Sequence, residues 1–228
     1  SWGAIKYIGE GMNNNFRVVP LLKHEAEKWL LQKHYAKRKA PISYLFGITD
    51  GDYILGVCSF GCPPNMNYNN GKCLFNDLGV KTLELNRLVI NSNQPKNTLS
   101  FFVSQCLKQL PKPCAVVSYA DPNVNHFGYI YQATNWLYLG TSSAKHRYHF
   151  EDGSTFDIRR GIHKKGKIVK KEKIKSTFRY LYLVGTKSQR KKMRLHLKHL
   201  PEKYPKGKVK RYECKDLRVP YQRTLFEY

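Results

Sequence analysis

The sequence predicts a mixed α/β (α+β) fold, a central sheet of mixed strand direction flanked by helices, with a basic C-terminal extension. Three observations carry this expectation. A wholly apolar run, Cys114–Tyr119, follows a helical stretch that itself follows a β-rich run; strand, helix, strand in that order argues for a parallel pair closed by a crossover. Upstream, two further β-rich runs are joined by the turn signal Asp50-Gly51-Asp52 as an antiparallel hairpin. The charge is unevenly spread: residues 1–140 hold 14 basic and 8 acidic side chains, residues 141–228 hold 26 and 8. Residues 1–140 are therefore expected to form the core, and residues 141–228 a basic region that completes the sheet and adds a strand and a helix.

The elements follow in order. Lys23–Tyr35 places Ala26, Leu30 and Leu31, with Trp29 alongside, near one face among charged residues, which is an amphipathic helix. It ends in Lys37-Arg38-Lys39 before Pro41. Ser43–Ile48 and Tyr53–Phe60 are the hairpin strands, Gly61–Lys72 is a loop rich in Asn, Gly and Pro, and Leu83–Ile90 is the next strand. Asn97 stands where an N-cap would stand, and the helix Leu99–Leu110 stops at Pro111. Beyond the buried strand come a second helix, His126–Thr134, and a strand, Trp136–Gly140. Arg147–Phe150 and Thr155–Arg159 flank Glu151-Asp152-Gly153-Ser154 as a hairpin, Gly161–Lys175 reads as a mobile Lys-rich segment, and Phe178–Val184 reads as a strand. Ser188–Leu200 is an amphipathic basic helix with Met193, Leu197 and Leu200 on one face.

With 41% hydrophobic and 13% aromatic residues the chain has the material for a packed core, which excludes intrinsic disorder. No apolar run approaches the roughly 18 to 20 residues of a membrane helix, and no secretory leader opens the chain, so a soluble intracellular protein is expected. A net charge of +24 makes a polyanion the leading partner class, ahead of an anionic membrane surface. The six cysteines, at 58, 62, 73, 106, 114 and 214, are expected as reduced thiols. Cys58, Cys62 and Cys73 lack the paired spacing of a zinc site.

Reactive side chains are densest after the buried strand: Ser118-Tyr119-Ala120-Asp121-Pro122, then His126, Gly128, Tyr129, Tyr131, Gln132, Asn135 and Trp136. Parallel sheets bind ligands beyond the carboxyl ends of their strands, so these residues emerge where a site is expected. Asp-Pro is also an ordinary turn, and the aromatics also suit simple packing. A second junction, from Leu85–Ile90 into the Asn97 helix, offers helix N–H groups to a phosphate, with Lys96 and Ser100 at hand, although its loop contains no glycine.

Taken together, Leu85-Asn86-Arg87-Leu88-Val89, Ser118-Tyr119-Ala120-Asp121-Pro122, His126 through Trp136, and His34-Tyr35-x-x-Arg38 resemble the bacteriophage Mom family of DNA adenine-modification proteins, relatives of the GNAT acyltransferases. Gly56-x-x-x-Phe60-Gly61-x-Pro63-Pro64 and the tail Tyr180–Lys206 extend the likeness over most of the chain. The resemblance implies a GNAT-like, bent and splayed mixed sheet, with acetyl-CoA or another acyl-CoA donor held at Val89–Ser100 by Arg87, Lys96 and Ser100. It implies conversion of adenine in double-stranded phage DNA to N6-carbamoylmethyladenine, in the cytoplasm of an infected or lysogenic bacterial host, as protection from restriction enzymes. Carried over by position, His34, Tyr35, Arg87, Ser100, Asp121 and Tyr131 become the catalytic candidates. The family's association with iron makes His34 and Tyr35 candidate metal ligands.

The chemistry suits these residue types. An adenine inside a duplex must be flipped out, held by stacking and read along its Watson–Crick edge. Asp121 can accept the N6 proton and Tyr131 or Tyr119 can stack or relay it, while His126, Gln132, Asn135 and Trp136 are the candidates for holding the base. Lys164, Lys165, Lys170, Lys171, Arg190, Lys191, Lys192 and Arg194 are the candidates for phosphate contacts, with Phe178, Tyr180 and Tyr182 interleaved as on a nucleic-acid face. Two other readings stay open: a GNAT acyltransferase acting on RNA or protein, and a non-catalytic nucleic-acid-binding protein on the same scaffold.

Overall fold

A computed structural model of the chain describes residues 16–29, 41–143, 145–158, 166–208 and 216–221. In chain order these form β1 (Arg17–Pro20), α1 (Lys23–Lys28), β2 (Tyr44–Thr49), β3 (Tyr53–Gly61), α2 (Met66–Asn69), α3 (Lys72–Phe75), β4 (Thr82–Ile90), α4 (Thr98–Lys108) and β5 (Cys114–Ala120). Then come α5 (Tyr129–Ala133), β6 (Leu137–Thr141), β7 (Lys145–Phe150), β8 (Thr155–Ile158), β9 (Ile168–Ile174), β10 (Phe178–Val184), α6 (Lys187–Leu195) and β11 (Val219–Pro220). The fold is mixed α+β and dominated by a large mixed sheet. Among the described residues no helix is long and apolar enough to cross a membrane.

The chain divides into two compact units, residues 1–117 with 182–198 and 212–228, and residues 118–181 with 199–211. In the first, β1, β2, β3 and β4 are antiparallel neighbours, and β4 pairs in parallel with β5 through Thr82↔Ala115, Leu83↔Val116 and Glu84↔Val117. The expected hairpin and crossover are both present. Val57 and Cys58 are consecutive and fully buried, and because successive strand residues face opposite ways the sheet is covered on both sides. On one side Ala26 and Trp29 pack with Val19, Leu21, Leu45, Ile54 and Val57. On the other, α4 presents Phe102, Val103, Cys106 and Leu107 to the interior. Cys106 hydrogen-bonds Cys58, and burial pushes its thiol pKa well above the ordinary value.

Several boundaries differ from the sequence expectation for local reasons. Gly61–Lys72 is not a plain loop: the Asn65 side chain accepts from Asn67 N–H at 2.9 Å and starts α2, and Gly71, at φ 78°, leads into α3. Asn97 precedes α4, but it adopts φ 71° and its side chain caps nothing. Helix α6 starts one residue early because Thr186 and Gln189 form a capping box, Thr186 N–H to Gln189 Oε1 at 2.8 Å and Gln189 N–H to Thr186 Oγ1 at 3.2 Å. It ends at Leu195, so Met193 is buried while Leu200 is 84% exposed. The chain's tail also returns to this unit: β11 pairs with Tyr53 and Ile54, and Asn91 exchanges two hydrogen bonds with the Leu217 backbone at 2.8 and 3.0 Å. Of the helix expected over Lys23–Tyr35, residues 30–35 lie outside the described residues.

In the second unit β6 and β10 pair antiparallel, and β8, β7 and β9 form a separate three-stranded antiparallel sheet. The segment read as mobile is therefore corrected over its second half. Ile168–Ile174 is an edge strand registered on β7 from Lys145↔Ile174 to Phe150↔Ile168. Its β-branched Ile168, Val169 and Ile174 supply strand propensity that the lysines obscure. Tyr180 is likewise not a surface aromatic; it is fully buried.

Gly61 shows how tightly the hairpin exit is built. A Cβ there would lie 1.8 Å from Pro41 O and 2.9 Å from Asn86 Nδ2. Gly61→Ala is expected to cost about 1–3 kcal/mol, the range for overpacking a close contact, read from urea melts. An unchanged midpoint would mean that the Pro41 segment yields freely.

Candidate functional site

The turn after β5 is built by its own side chains. Asp121 Oδ1 accepts Asn123 N–H at 2.9 Å and Asn123 Nδ2 at 2.7 Å, which closes a 3-10 turn over Pro122–Val124. Asn123 then reaches the end of the three-stranded sheet, donating from Nδ2 to Lys175 O at 2.8 Å and accepting from Lys175 N–H at 3.1 Å. The second carboxylate oxygen, Oδ2, faces Lys145 Nζ at 3.5 Å. The Asp121 side chain is 25% exposed and that of Lys145 14%. Asp121 thus has a fixed orientation, with one oxygen held by the turn and the other beside a nearly buried ammonium.

His126 follows, its backbone N–H bonded to Asp121 O at 3.1 Å and its Nδ1 accepting Gly128 N–H at 3.3 Å. Burial lowers the ring's pKa below 6.5, against the opposing pull of the Asp121 carboxylate. The imidazole is accordingly neutral near pH 7. Gly128 sits at φ 76°, and a Cβ there would come 2.4 Å from the Tyr180 ring, so both conformation and contact require glycine. That requirement explains why the helix expected from His126 begins only at Tyr129.

Tyr131 and Trp136 pack together for a reason visible in the backbone. Asn135, at φ 61°, ends α5: Trp136 N–H bonds Tyr131 O at 3.0 Å and Asn135 N–H bonds Gln132 O at 3.1 Å. These are the two bonds of a Schellman motif, and the apolar contact that accompanies it is Tyr131 on Trp136, ring centroids 5.0 Å apart. Tyr131 also meets Tyr180 at 5.0 Å and His126 at 6.0 Å, and its hydroxyl accepts from the buried Ser118 Oγ at 2.7 Å. Gln132 Nε2 donates to Phe127 O at 3.3 Å, Tyr180 OH at 3.1 Å and Pro205 O at 3.2 Å. Tyr180 OH in turn donates to Phe127 O at 2.6 Å, and burial pushes its pKa up to about 12, so it stays a donor.

The structure therefore brings Tyr119, Asp121, His126, Tyr131, Gln132, Asn135 and Trp136 into one unit, in graded exposure. Tyr131 and Trp136 are core residues, Asn135 is exposed, and Tyr119, Asp121, His126 and Gln132 are partly buried. Arg87, Lys96 and Ser100 belong to the other unit. Arg87 is buried on β4 and donates to Asn86 O at 2.6 Å. Ser100 Oγ donates to Asn97 O at 2.9 Å, and Lys96 is exposed. His34, Tyr35, Lys164 and Lys165 lie outside the described residues. Among the described residues no group of three His, Cys, Asp or Glu side chains could hold a metal ion.

Of the cationic candidates, Lys170 pairs with Glu172 at 3.3 Å and Arg190 donates to Gly185 O at 2.8 Å. Lys171 stands over the Tyr148 ring at 5.6 Å, while Lys191, Lys192 and Arg194 are exposed on α6. Sequence reasoning missed Lys145 and Asn123. Asp-Pro-Asn was a detectable signal for the turn, whereas nothing local marks Lys145, which is 24 residues away.

His126 yields a pH dependence. Its native pKa is depressed, so on acidification the unfolded chain takes up the proton first. The stability carried by the neutral ring is full above about pH 6.5 and is lost as pH falls through the lower native value. The stability of the wild type relative to His126→Asn, from denaturant melts, is therefore expected to decline as pH falls below about 6.5; a constant difference would show that the ring does not contribute in this way.

Comparison with known proteins identifies the family. The Methylcarbamoylase mom of Escherichia phage Mu is 30% identical over 139 residues, a stretch covering 59% of this chain and 57% of that protein. A family model described as the Mom protein family matches residues 15–206, which run from β1 through α6 and include the whole Asp121 to Trp136 segment. The chain belongs to the Mom protein family.

Proposed function

We propose that this protein is a DNA-modifying transferase that converts adenine in double-stranded phage DNA to N6-carbamoylmethyladenine and so shields that DNA from host restriction enzymes. The observation that carries the reading is the family match over residues 15–206, joined to a relative named as a methylcarbamoylase. The net charge of +24 supports a polyanionic substrate. Its place of action is the cytoplasm of the infected or lysogenic cell, where phage DNA is exposed to restriction.

The parallel β4 and β5 pair with α4 between them supports a GNAT-like scaffold. An acyl-CoA-type donor fits the residues present at the start of α4, an 11-residue helix without a side-chain cap: Thr98 N–H is taken by Pro95 O at 3.2 Å, and the N–H groups that follow it and the exposed Lys96 suit a phosphate. Ser100, in the first turn, can donate to the donor's carbonyl only by giving up its bond to Asn97 O, and Arg87 is the group suited to a bidentate anion contact. Iron enters through His34 and Tyr35 alone, so no step is assigned to it.

The exocyclic amine is a weak nucleophile because its lone pair is delocalised into the purine. Asp121 is the acceptor for its proton: Asn123 fixes one carboxylate oxygen, and the partly exposed side chain leaves the carboxylate reachable beside Lys145. Tyr119 and His126, both partly exposed beside that turn, offer a stacking surface and a neutral imidazole. Tyr131, Trp136 and Gln132 support the site from the interior, since each is committed to packing or to backbone acceptors. The product joins nitrogen through a methylene. The new N–C bond therefore forms at a CH2 that must carry a leaving group, which departs with its bonding pair as the amine gives up its proton; attack on a thioester carbonyl alone does not produce this product.

Co-expression with a plasmid, followed by digestion to nucleosides and mass measurement, tests the reading. Adenine bearing one carbamoylmethyl group is expected, and an unmodified pool from soluble, folded protein would sink the proposal. Asp121→Asn is expected to abolish the product while DNA affinity stays within about a few-fold, because phosphate contacts made elsewhere supply most of the affinity. Lys191→Ala with Lys192→Ala is expected to weaken binding and flatten its salt dependence by about 0.9 per lost phosphate contact. An unchanged slope would reassign α6 to another role.

A further inference from the structure

The three-stranded sheet has two unlike faces, and we propose that the face built by His146, Phe156, Lys171 and Lys173 cradles a strand of DNA, with phosphates on the cations and a base against the Phe156 ring. This rests on the reading of the protein as a DNA-modifying enzyme and adds a surface that neither the family match nor the turn at Asp121 specifies.

Strand alternation sorts the side chains. Arg147 is in register with Asp157 on β8 and with Glu172 on β9, and His149 is in register with Thr155 and Lys170. These residues and Lys145 share one face, and its charges are matched. Arg147 holds Asp157 through two bonds at 2.7 and 3.0 Å, Glu172 pairs with His149 and Lys170 at 3.3 Å each, and Lys145 meets Asp121 at 3.5 Å.

The other face follows from the remaining register. Phe156, Tyr148 and Lys171 form one row across the three strands, and His146 and Lys173 stand in the next. No carboxylate of the three strands points this way, because both strand acids, Asp157 and Glu172, are on the first face. The acids of the β7–β8 turn are engaged at its tip, Glu151 with Lys167 at 2.8 Å and Asp152 with Ser154 N–H at 2.8 Å. Among the described residues, Lys173 and His146 have no acidic partner. Tyr148 and Phe150 are buried under this face, and Lys171 lies over the Tyr148 ring. Phe156 is left 38% exposed at the edge, and Lys171 and Lys173 are exposed.

Cations without acids, interleaved with an exposed aromatic ring, are the chemistry of a nucleic-acid strand: the backbone takes the charges and any base can stack on the ring. Same-face lysines two residues apart are separated by about 6.8 Å along an antiparallel strand, a row that follows a phosphate chain. The lower end of this sheet is tied to the Asp121 turn through Lys145 and through Asn123 to Lys175. A strand bound on it is therefore held in a fixed relation to that turn.

The test is fluorescence anisotropy of labelled single-stranded and duplex oligodeoxynucleotides with the full chain. Lys171→Ala with Lys173→Ala is expected to weaken both and to flatten the log–log salt slope by about 1.5, two phosphate contacts at roughly 0.7 to 0.9 each. Phe156→Ala is expected to weaken the single strand about tenfold, in line with one lost base stack, with the salt slope unchanged and affinity restored by Phe156→Trp. Lys167→Ala, at the turn tip where Glu151 matches its charge at 2.8 Å, is expected to leave both measurements unchanged. An unaltered slope in the double lysine variant, or unaltered single-strand affinity in Phe156→Ala, would overturn the proposal, as would equal competition by polyglutamate. Should Phe156→Ala unfold the sheet, Phe156→Leu keeps the apolar area and removes only the stack. Binding through this face by a protein that leaves adenine unmodified would sink the modification reading alone; modified adenine with these variants binding normally would sink this surface alone.

Discussion

The hydroxyl of Tyr180 is the constraint on which the second unit depends. It is buried with its ring, and such a hydroxyl must find partners or cost about 1–3 kcal/mol. It donates to Phe127 O and accepts from Gln132, whose amide also holds the backbone at Pro205. The ring is packed by Tyr131, Tyr138 and Tyr204, and Gly128 passes so close that no side chain fits there. One residue of β10 therefore sets where the loop after β5 runs, where α5 starts and where the 199–208 segment lies. Tyr204 closes the arrangement by donating to Trp136 O at 2.6 Å.

Around that anchor, charge is handled in two ways. On one face of the three-stranded sheet every carboxylate is matched by a cation, and the Arg147 to Asp157 pair holds the aspartate's pKa below its ordinary value. Among the described residues, the cations of the opposite face and, in the other unit, those of α6 stand without acids. A folded protein gains little from exposed charges of a single sign, which repel one another and weaken the compact state. Their segregation suits an anion brought to them. The catalytic candidate Asp121 belongs to the matched part, where Lys145 and Asn123 limit its freedom.

Strand and helix patterning were largely legible because they depend on local chemistry. The hairpin around Asp50-Gly51-Asp52, the parallel β4 and β5 pair and the existence of the basic helix, though not its cap, all follow from turn residues, apolar runs and periodicity. Elements whose stability comes from a partner were not legible. Strand β9 reads as a lysine-rich tether until β7 supplies its ladder, and β11 is two residues that exist as a strand only against β3. Tyr180 alternates with cations as a surface aromatic would, and only its packing shows it to be core.

The same division runs through the candidate site. Asp121, His126, Tyr131, Gln132 and Trp136 stand out by residue type and by their position after a buried parallel strand, and the chain alone establishes that list, the basic character of the C-terminal region and the family likeness. Which of them face outward was settled by tertiary contacts. The Schellman motif turns Trp136 onto Tyr131, three acceptors occupy the Gln132 amide, and Lys145 arrives beside Asp121 from a different strand. Sequence records which groups are available within a few residues of one another. Burial and pairing are set by groups distant along the chain, and these determine whether a reactive side chain is a support or a reagent.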